Sequence, residues 1–202
     1  MGTRPEAIKF APLIKQLEKE PAFELRICIT GQHKEMLQQV LDFFEIIPNY
    51  DLNLMKHNQT LFDVSAGALT GLKPILDEYR PDIVFVQGDT TTAFIGALAA
   101  FYEKCKIAHL EAGLRSGDKF SPFPEEANRK LTGAIADFHF APTELAKNAL
   151  LKENIHDNVW VVGNTVVDAL LLGLENLRNR SIDFKDEFEY IDFTKPVVLI
   201  TA

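Results

Sequence analysis

Ile83-Val-Phe-Val-Gln-Gly-Asp-Thr-Thr-Thr92 and, one helix-length later, Lys106-Ile-Ala-His-Leu110 decide the fold of this chain. Both begin as short apolar runs of strand length, and the stretch 90–103 between them has the length and composition of a helix. Strand, helix and strand in that order form a βαβ unit. Working outward, the alternation holds. Upstream, 5–19 reads as an amphipathic helix with Ala7, Ala11, Ile14 and Leu17 on one face and Pro5 suited to its first turn. Then come a strand candidate over 23–30, a helix over 34–44 closed by Pro48, and a longer helix over 60–79 that Pro74 should bend near its end. Downstream lie helix 124–136, a short strand near 138–140, helix 143–152, strand 159–162 and helix 165–179. The pattern predicts an α/β fold with a doubly wound, parallel, Rossmann-like sheet.

Composition narrows the class. A hydrophobic content of 47% with 25% charged residues is that of a globular protein in water, and no apolar run is long enough to span a bilayer. A net charge of −8 argues against nucleic-acid or membrane-surface partners while leaving room for a local cationic pocket. Cys28 and Cys105 lie in apolar surroundings and read as buried thiols of a reducing compartment, so a cytoplasmic location is expected. No histidine or cysteine spacing suggests a metal site.

The ends are irregular. Met1-Gly2-Thr3-Arg4 is a glycine turn into a helix with no strand ahead of it, whereas such turns normally follow one. Lys195-Pro196 leads into Val197-Val-Leu-Ile-Thr201, a run of buried-strand type, and the charged stretch before it has the makeup of a linker. The expected organisation is one domain over 1–175, a connector over 176–194, and the first strand of a second domain over 195–202.

The chemistry-bearing residues gather where strands end. Carboxylates at the carboxyl ends of parallel strands sit where α/β sheets bind ligands. Asp89 follows strand 82–87 and suits a plain helix N-cap as well as a reactive role. Glu111 ends an apolar strand and enters a glycine loop, so it needs a partner or a function. Glu125 and Glu126 occupy the first turn of a helix, where carboxylates gain roughly 0.3–1 kcal/mol from the macrodipole. Arg115 and Arg129 either bind an anion or pair with these glutamates. Gly2-Thr3-Arg4 offers backbone amides and a cation at a helix start, an anion site in principle and an ordinary capped helix otherwise, with Lys9 one turn on. His109 reads as a core histidine and His33 as a binding or surface residue.

Six segments in order, Gly2-Thr-Arg-Pro-Glu-Ala-Ile-Lys9, Gly31-Gln-His-Lys-Glu-Met-Leu37, Gln87-Gly-Asp-Thr-Thr-Thr92, His109-Leu-Glu-Ala-Gly-Leu-Arg115, Ser121-Pro-Phe-Pro-Glu-Glu-Ala-Asn-Arg129 and Val162-Gly-Asn-Thr-Val166, closely resemble the non-hydrolysing UDP-N-acetylglucosamine 2-epimerases of bacteria. The resemblance runs along essentially the whole chain. It implies the amino-terminal domain of a GT-B-type two-domain architecture. The implied reaction interconverts UDP-GlcNAc and UDP-ManNAc without a cofactor, by loss of UDP to a bound 2-acetamidoglucal and re-addition, in surface polysaccharide precursor synthesis. Position by position it implies Asp89, Glu111 and Glu125 as acid/base carboxylates and Arg4 and Lys9 as cations near the diphosphate, with Arg129 supporting them. It also implies a homodimer and a candidate effector site at Gln32 and His33, although Gly67 stands where an arginine would be looked for.

The family also carries an apolar strand ahead of its Gly-Thr-Arg-Pro-Glu segment and a second domain beyond the equivalent of Thr201. The expectation is therefore a sheet with two exposed strand edges and a weakly stable, inactive piece. Two rival readings share the fold: a GT-B glycosyltransferase, which would transfer to an acceptor without exchanging C2–H, and a non-catalytic nucleotide-sugar-binding domain.

Overall fold

The structure is a computed structural model that describes residues 1–31, 34–55, 58–180 and 188–200. Thirteen elements alternate along it: α1 (Arg4–Leu17), β1 (Cys28–Ile29), α2 (Lys34–Phe43), β2 (Tyr50–Asp51), α3 (Leu61–Tyr79), β3 (Ile83–Gln87), α4 (Thr91–Tyr102), β4 (Lys106–Leu110), α5 (Glu125–Ile135), β5 (Phe138–Ala141), α6 (Glu144–Lys152), β6 (Val159–Val161) and α7 (Thr165–Arg180). All strand pairings are parallel. β3, β4, β5 and β6 form one sheet in that order, and β1 and β2 form a separate pair.

Side-chain alternation explains why helices cover both faces. Phe85, Leu110 and Phe140 pack with α1, α2 and α7 through Phe10, Ile14, Leu41 and Ala169. Val84, Val86 and Ile107 point the other way, onto Ala93, Ala97 and Ala100 of α4 and Ile135 of α5. Local signals fix the helix starts. Thr3 and Glu6 form a reciprocal capping box for α1, and Thr60 and Asp63 form another for α3. α3 continues through Pro74 to Tyr79 and stops at Arg80, whose backbone is left-handed.

Two expectations change. The strand foreseen over 23–30 shrinks to Cys28–Ile29, because only there does a neighbour, β2, complete a ladder. β2 itself was not foreseen. Val197 to Ile200 form no ladder among the described residues, and their side chains are 54–87% exposed; an apolar run without a partner strand leaves its amides to water. α7 keeps to its expected bounds within one residue, and Arg180 at its end donates to Glu45 at 2.6 Å.

Between the two sheets lies an apolar cavity of about 540 Å³, lined by Phe10 and Ile14 of α1, Leu72 and Leu76 of α3, Leu25, and Phe85 of β3. At one end of it Met1 runs beside β1 in a parallel pattern, its amino group donating to Cys28 O at 2.9 Å and its carbonyl accepting from Thr30 N at 3.0 Å. Both cysteines are free and half-buried, less enclosed than the sequence suggested.

Candidate active site

β3 and β4 end side by side, and each turns sharply. Gly88 follows β3 at φ 72°, and Glu111 follows β4 at φ 62°. Glycine adopts that conformation freely, whereas a glutamate held there carries strain of about 1–2 kcal/mol. Such strain persists only where surrounding contacts over-determine the residue, and around Glu111 they do. Its Oε2 accepts from Lys9 Nζ and from Gln87 Nε2, each at 2.5 Å, and its Oε1 accepts from Asn164 Nδ2 at 2.8 Å. Helix α1, the ends of β3 and β4, and the loop between β6 and α7 thus converge on one carboxylate.

Asp89 lies next to this cluster in the chain. Thr90, not Asp89, caps α4, accepting from Ala93 N at 3.0 Å, so the capping explanation for Asp89 fails. Its carboxylate instead takes two donors from Arg129, Nε at 2.9 Å and Nη2 at 2.6 Å, both on Oδ2. Asn128 Nδ2 donates to the Asp89 carbonyl at 2.8 Å and fixes the turn from below. Thr90 also donates to Oε1 of the buried Glu6 at 2.6 Å, tying α4 to the start of α1.

That same Glu6 changes the reading of the Gly2-Thr3 turn. Its Oε2 accepts the Gly2 and Thr3 amides at 2.5 and 2.8 Å. These amides are therefore spent within the protein, and the ordinary capped helix start describes them. Arg4 is exposed, with no hydrogen bond or ion pair among the described residues.

The two adjacent glutamates of α5 separate clearly. Glu126 is fully buried and accepts from Ser116 N at 3.0 Å, Gly117 N at 3.2 Å and Arg129 Nη1 at 3.2 Å. Burial pushes its carboxyl up, but the two amides and the guanidinium outweigh that and hold it below the ordinary range. It shapes the loop between β4 and α5. Glu125, by contrast, keeps Oε2 enclosed and without a hydrogen bond among the described residues. Arg115 pairs with Glu153 through two hydrogen bonds of 2.9 and 2.7 Å and with neither of these glutamates. His109 is a core histidine, as expected: it is 1% exposed, and its Nε2 lies 2.8 Å from Gly88 O. Desolvation is the largest influence on it and lowers its pKa to about 4, so the ring is neutral near pH 7 and Nε2–H donates to that carbonyl.

The structure thus brings Lys9, Asp89, Glu111 and Arg129 to one edge of the sheet in two ion pairs, Lys9 with Glu111 and Arg129 with Asp89. Gln32 and His33 lie outside the described residues. Gln87, Asn164 and Glu6 are partners that sequence reasoning had not given roles, while the pairing of Arg129 with one of the α5 glutamates was foreseen and falls on Glu126. Gln87 reads as the last residue of a strand and Asn164 as a helix-entry asparagine, so neither carried a separate signal. Among the described residues, no group of three or more His, Cys, Asp or Glu is placed to hold a metal ion.

A parallel α/β sheet with clamped carboxylates at its carboxyl edge puts the chain among the doubly wound α/β proteins, whose ligands bind at that edge. The particular family follows from comparison. The family model for UDP-N-acetylglucosamine 2-epimerase matches residues 15–202, and the chain belongs to this family. A UDP-N-acetylglucosamine 2-epimerase of Salmonella typhimurium is 50% identical over 205 residues, which cover 100% of this chain and 54% of the relative. One of Bacillus subtilis is 56% identical over 170 residues, covering 84% of this chain and 45% of its own length. The crystal structure of UDP-GlcNAc 2-epimerase from Neisseria meningitidis bound to UDP-GlcNAc superposes with a TM-score of 0.89 at 50% identity, over 95% of this chain and 53% of that one. The chain spans about half the length of the curated relatives it matches.

Proposed function

We propose that this chain forms the sugar-side half of a non-hydrolysing epimerase that interconverts UDP-GlcNAc and UDP-ManNAc. The C2–H proton passes to a carboxylate while the C1–O bond breaks and UDP departs, leaving 2-acetamidoglucal. C2 is then reprotonated on the opposite face as UDP adds back to C1. C2–H is a weak acid, so its removal needs a positioned base acting as C1–O cleavage develops, and reprotonation needs an acid on the other side. Asp89, Glu111 and Glu125 are the carboxylates for these transfers. Arg4 and Lys9 supply positive charge toward the departing diphosphate, and Arg129 orients Asp89. The reading includes a cytoplasmic homodimer that serves surface polysaccharide synthesis.

One observation carries the proposal. Glu111 is held in a left-handed backbone at the sheet's carboxyl edge by donors from three directions, next in space to the Asp89–Arg129 turn. A protein that only bound a diphosphate would gain nothing from carboxylates built in at such cost.

The test is deuterium incorporation at C2 of UDP-GlcNAc in D2O, followed by NMR. It compares this chain with one extended at both ends by the flanking gene sequence. Exchange together with UDP-ManNAc formation by the extended protein is the expected result. UDP-GlcNAc binding by the extended protein without exchange would rule out the reaction and favour a transferase.

A further inference from the structure

An ionised glutamate has about four lone-pair positions over its two oxygens. At Glu111 three are taken, unequally. Lys9 and Gln87 both donate to Oε2, while Asn164 alone donates to Oε1. Among the described residues Oε2 is therefore saturated, and Oε1 keeps a free lone pair.

Asn164 cannot be turned around. Its Oδ1 accepts from Val166 N at 3.0 Å at the opening of α7, and its own carbonyl accepts from Val167 N at 3.1 Å. An amide whose oxygen is tied to a backbone N–H presents only its NH2 group to a neighbour. The cap on α7 thus fixes the donor that meets Glu111.

Resting on the epimerase reading above, we infer that Asn164 is the positioning residue that makes Oε1 the proton-transferring oxygen of Glu111. Lys9 and Gln87 hold one end of the carboxylate, and Asn164 stops it rotating about its last bond. Without Asn164 the group keeps its place and its ion pair but loses the angle at which Oε1 faces the substrate. A misplacement of about 1 Å in such a group costs on the order of 100-fold in rate.

Substitution separates the two jobs of Asn164. In the extended protein, Asn164→Ser keeps a capping oxygen for α7, since serine caps about as well as asparagine, but its shorter side chain does not reach Glu111. Asn164→Ala loses both the cap and the donor. Asn164→Ser is expected to unfold at the same temperature as wild type, to keep its KM for UDP-GlcNAc within about twofold, and to lose roughly 10- to 100-fold in kcat for C2 exchange. Asn164→Ala should lose a similar factor in kcat and also some stability. A capping role alone predicts that Asn164→Ser matches wild type in kcat, and that result overturns the assignment. So does a change confined to KM. A wild-type protein that exchanges no C2 proton removes the reaction itself and this role with it. Exchange by wild type and Asn164→Ser alike removes only the role of Asn164.

Discussion

At Glu126 a carboxylate without solvent exposure takes hydrogen bonds from two loop amides and from Arg129. Glu126→Gln leaves part of this donor set unanswered, and charge-assisted hydrogen bonds are worth about 1.5–3 kcal/mol each. A loss of about 2 kcal/mol in urea unfolding is expected, and a change below about 0.5 kcal/mol would mean the loop finds other partners. The reactive carboxylates should behave differently. Asp89→Asn and Glu111→Gln are expected to abolish C2 exchange in the extended protein while UDP-GlcNAc binding stays measurable by calorimetry; unchanged turnover would remove them from the mechanism. His109 gives a pH signature. Its folded pKa is lowered, from 6.5 to about 4, so the unfolded chain binds the proton first. Its contribution to stability is complete above about pH 6.5 and is lost as pH falls toward 4. His109→Gln, which can still donate to Gly88 O, should flatten the fall in unfolding free energy over that interval. An identical slope in the variant would show that His109 is not its source.

Among the elements, the loop leaving β4 is the tightest join. Gly113 has φ 88°, and a Cβ there would lie 2.2 Å from the backbone oxygen of Ala146 in α6. No flexible side chain can give way, so α6 or the loop must shift. Gly113→Ala is expected to cost about 3 kcal/mol or more in thermal or urea unfolding and to weaken the packing of Leu150 beneath it. A stable Gly113→Ala protein would show that α6 moves freely on the sheet. The helices were the legible part of the sequence. α1, α3, α4 and α5 fall within about two residues of their expected bounds because caps and apolar spacing are local signals. Strand extent was legible in the four-stranded sheet, where β3 to β6 fall within about one residue of their expected bounds, but not in the separate pair. Phe23 to Ile29 has strand composition throughout, yet pairing stops at Cys28–Ile29 because a ladder depends on a neighbour distant in sequence. The site divided similarly. Asp89 and Glu111 stood out by residue type at strand ends, and Arg129 as a cation in the helix that follows. Glu125 and Glu126 could not be told apart, since only the folded loop decides which of them meets the Ser116 and Gly117 amides.

For the 202 residues of this chain taken together, the division of the sheet into two parts has a consequence for their dynamics. In a parallel ladder alternate residues of a strand bond to opposite neighbours. β3 uses Asp82 and Gly88 toward β4, with Lys106 N donating to Asp82 O and Gly88 N donating to Leu110 O. The backbone groups of Ile83, Phe85 and Gln87 therefore face the cavity between the sheets. β4, in contrast, pairs on one side with β3 and on the other with β5. Amides bonded on both sides of a covered strand open only with the largest unfolding motions, while those facing a cavity need only local opening. Hydrogen exchange followed by NMR should show Ile83 and Phe85 amides exchanging at least about 10-fold faster than those of Ala108 and His109. Equal protection across β3 and β4 would mean the cavity closes in solution and the two sheets meet. The contrast bears on the site as well, because Gln87 ends the strand that borders the cavity and also holds Oε2 of Glu111. Slow exchange at Gly88, whose amide bonds to Leu110, alongside fast exchange at Phe85 would place the boundary of motion just below the carboxylate cluster. The half of the site anchored on β4 would then stay fixed while the edge of β3 moves.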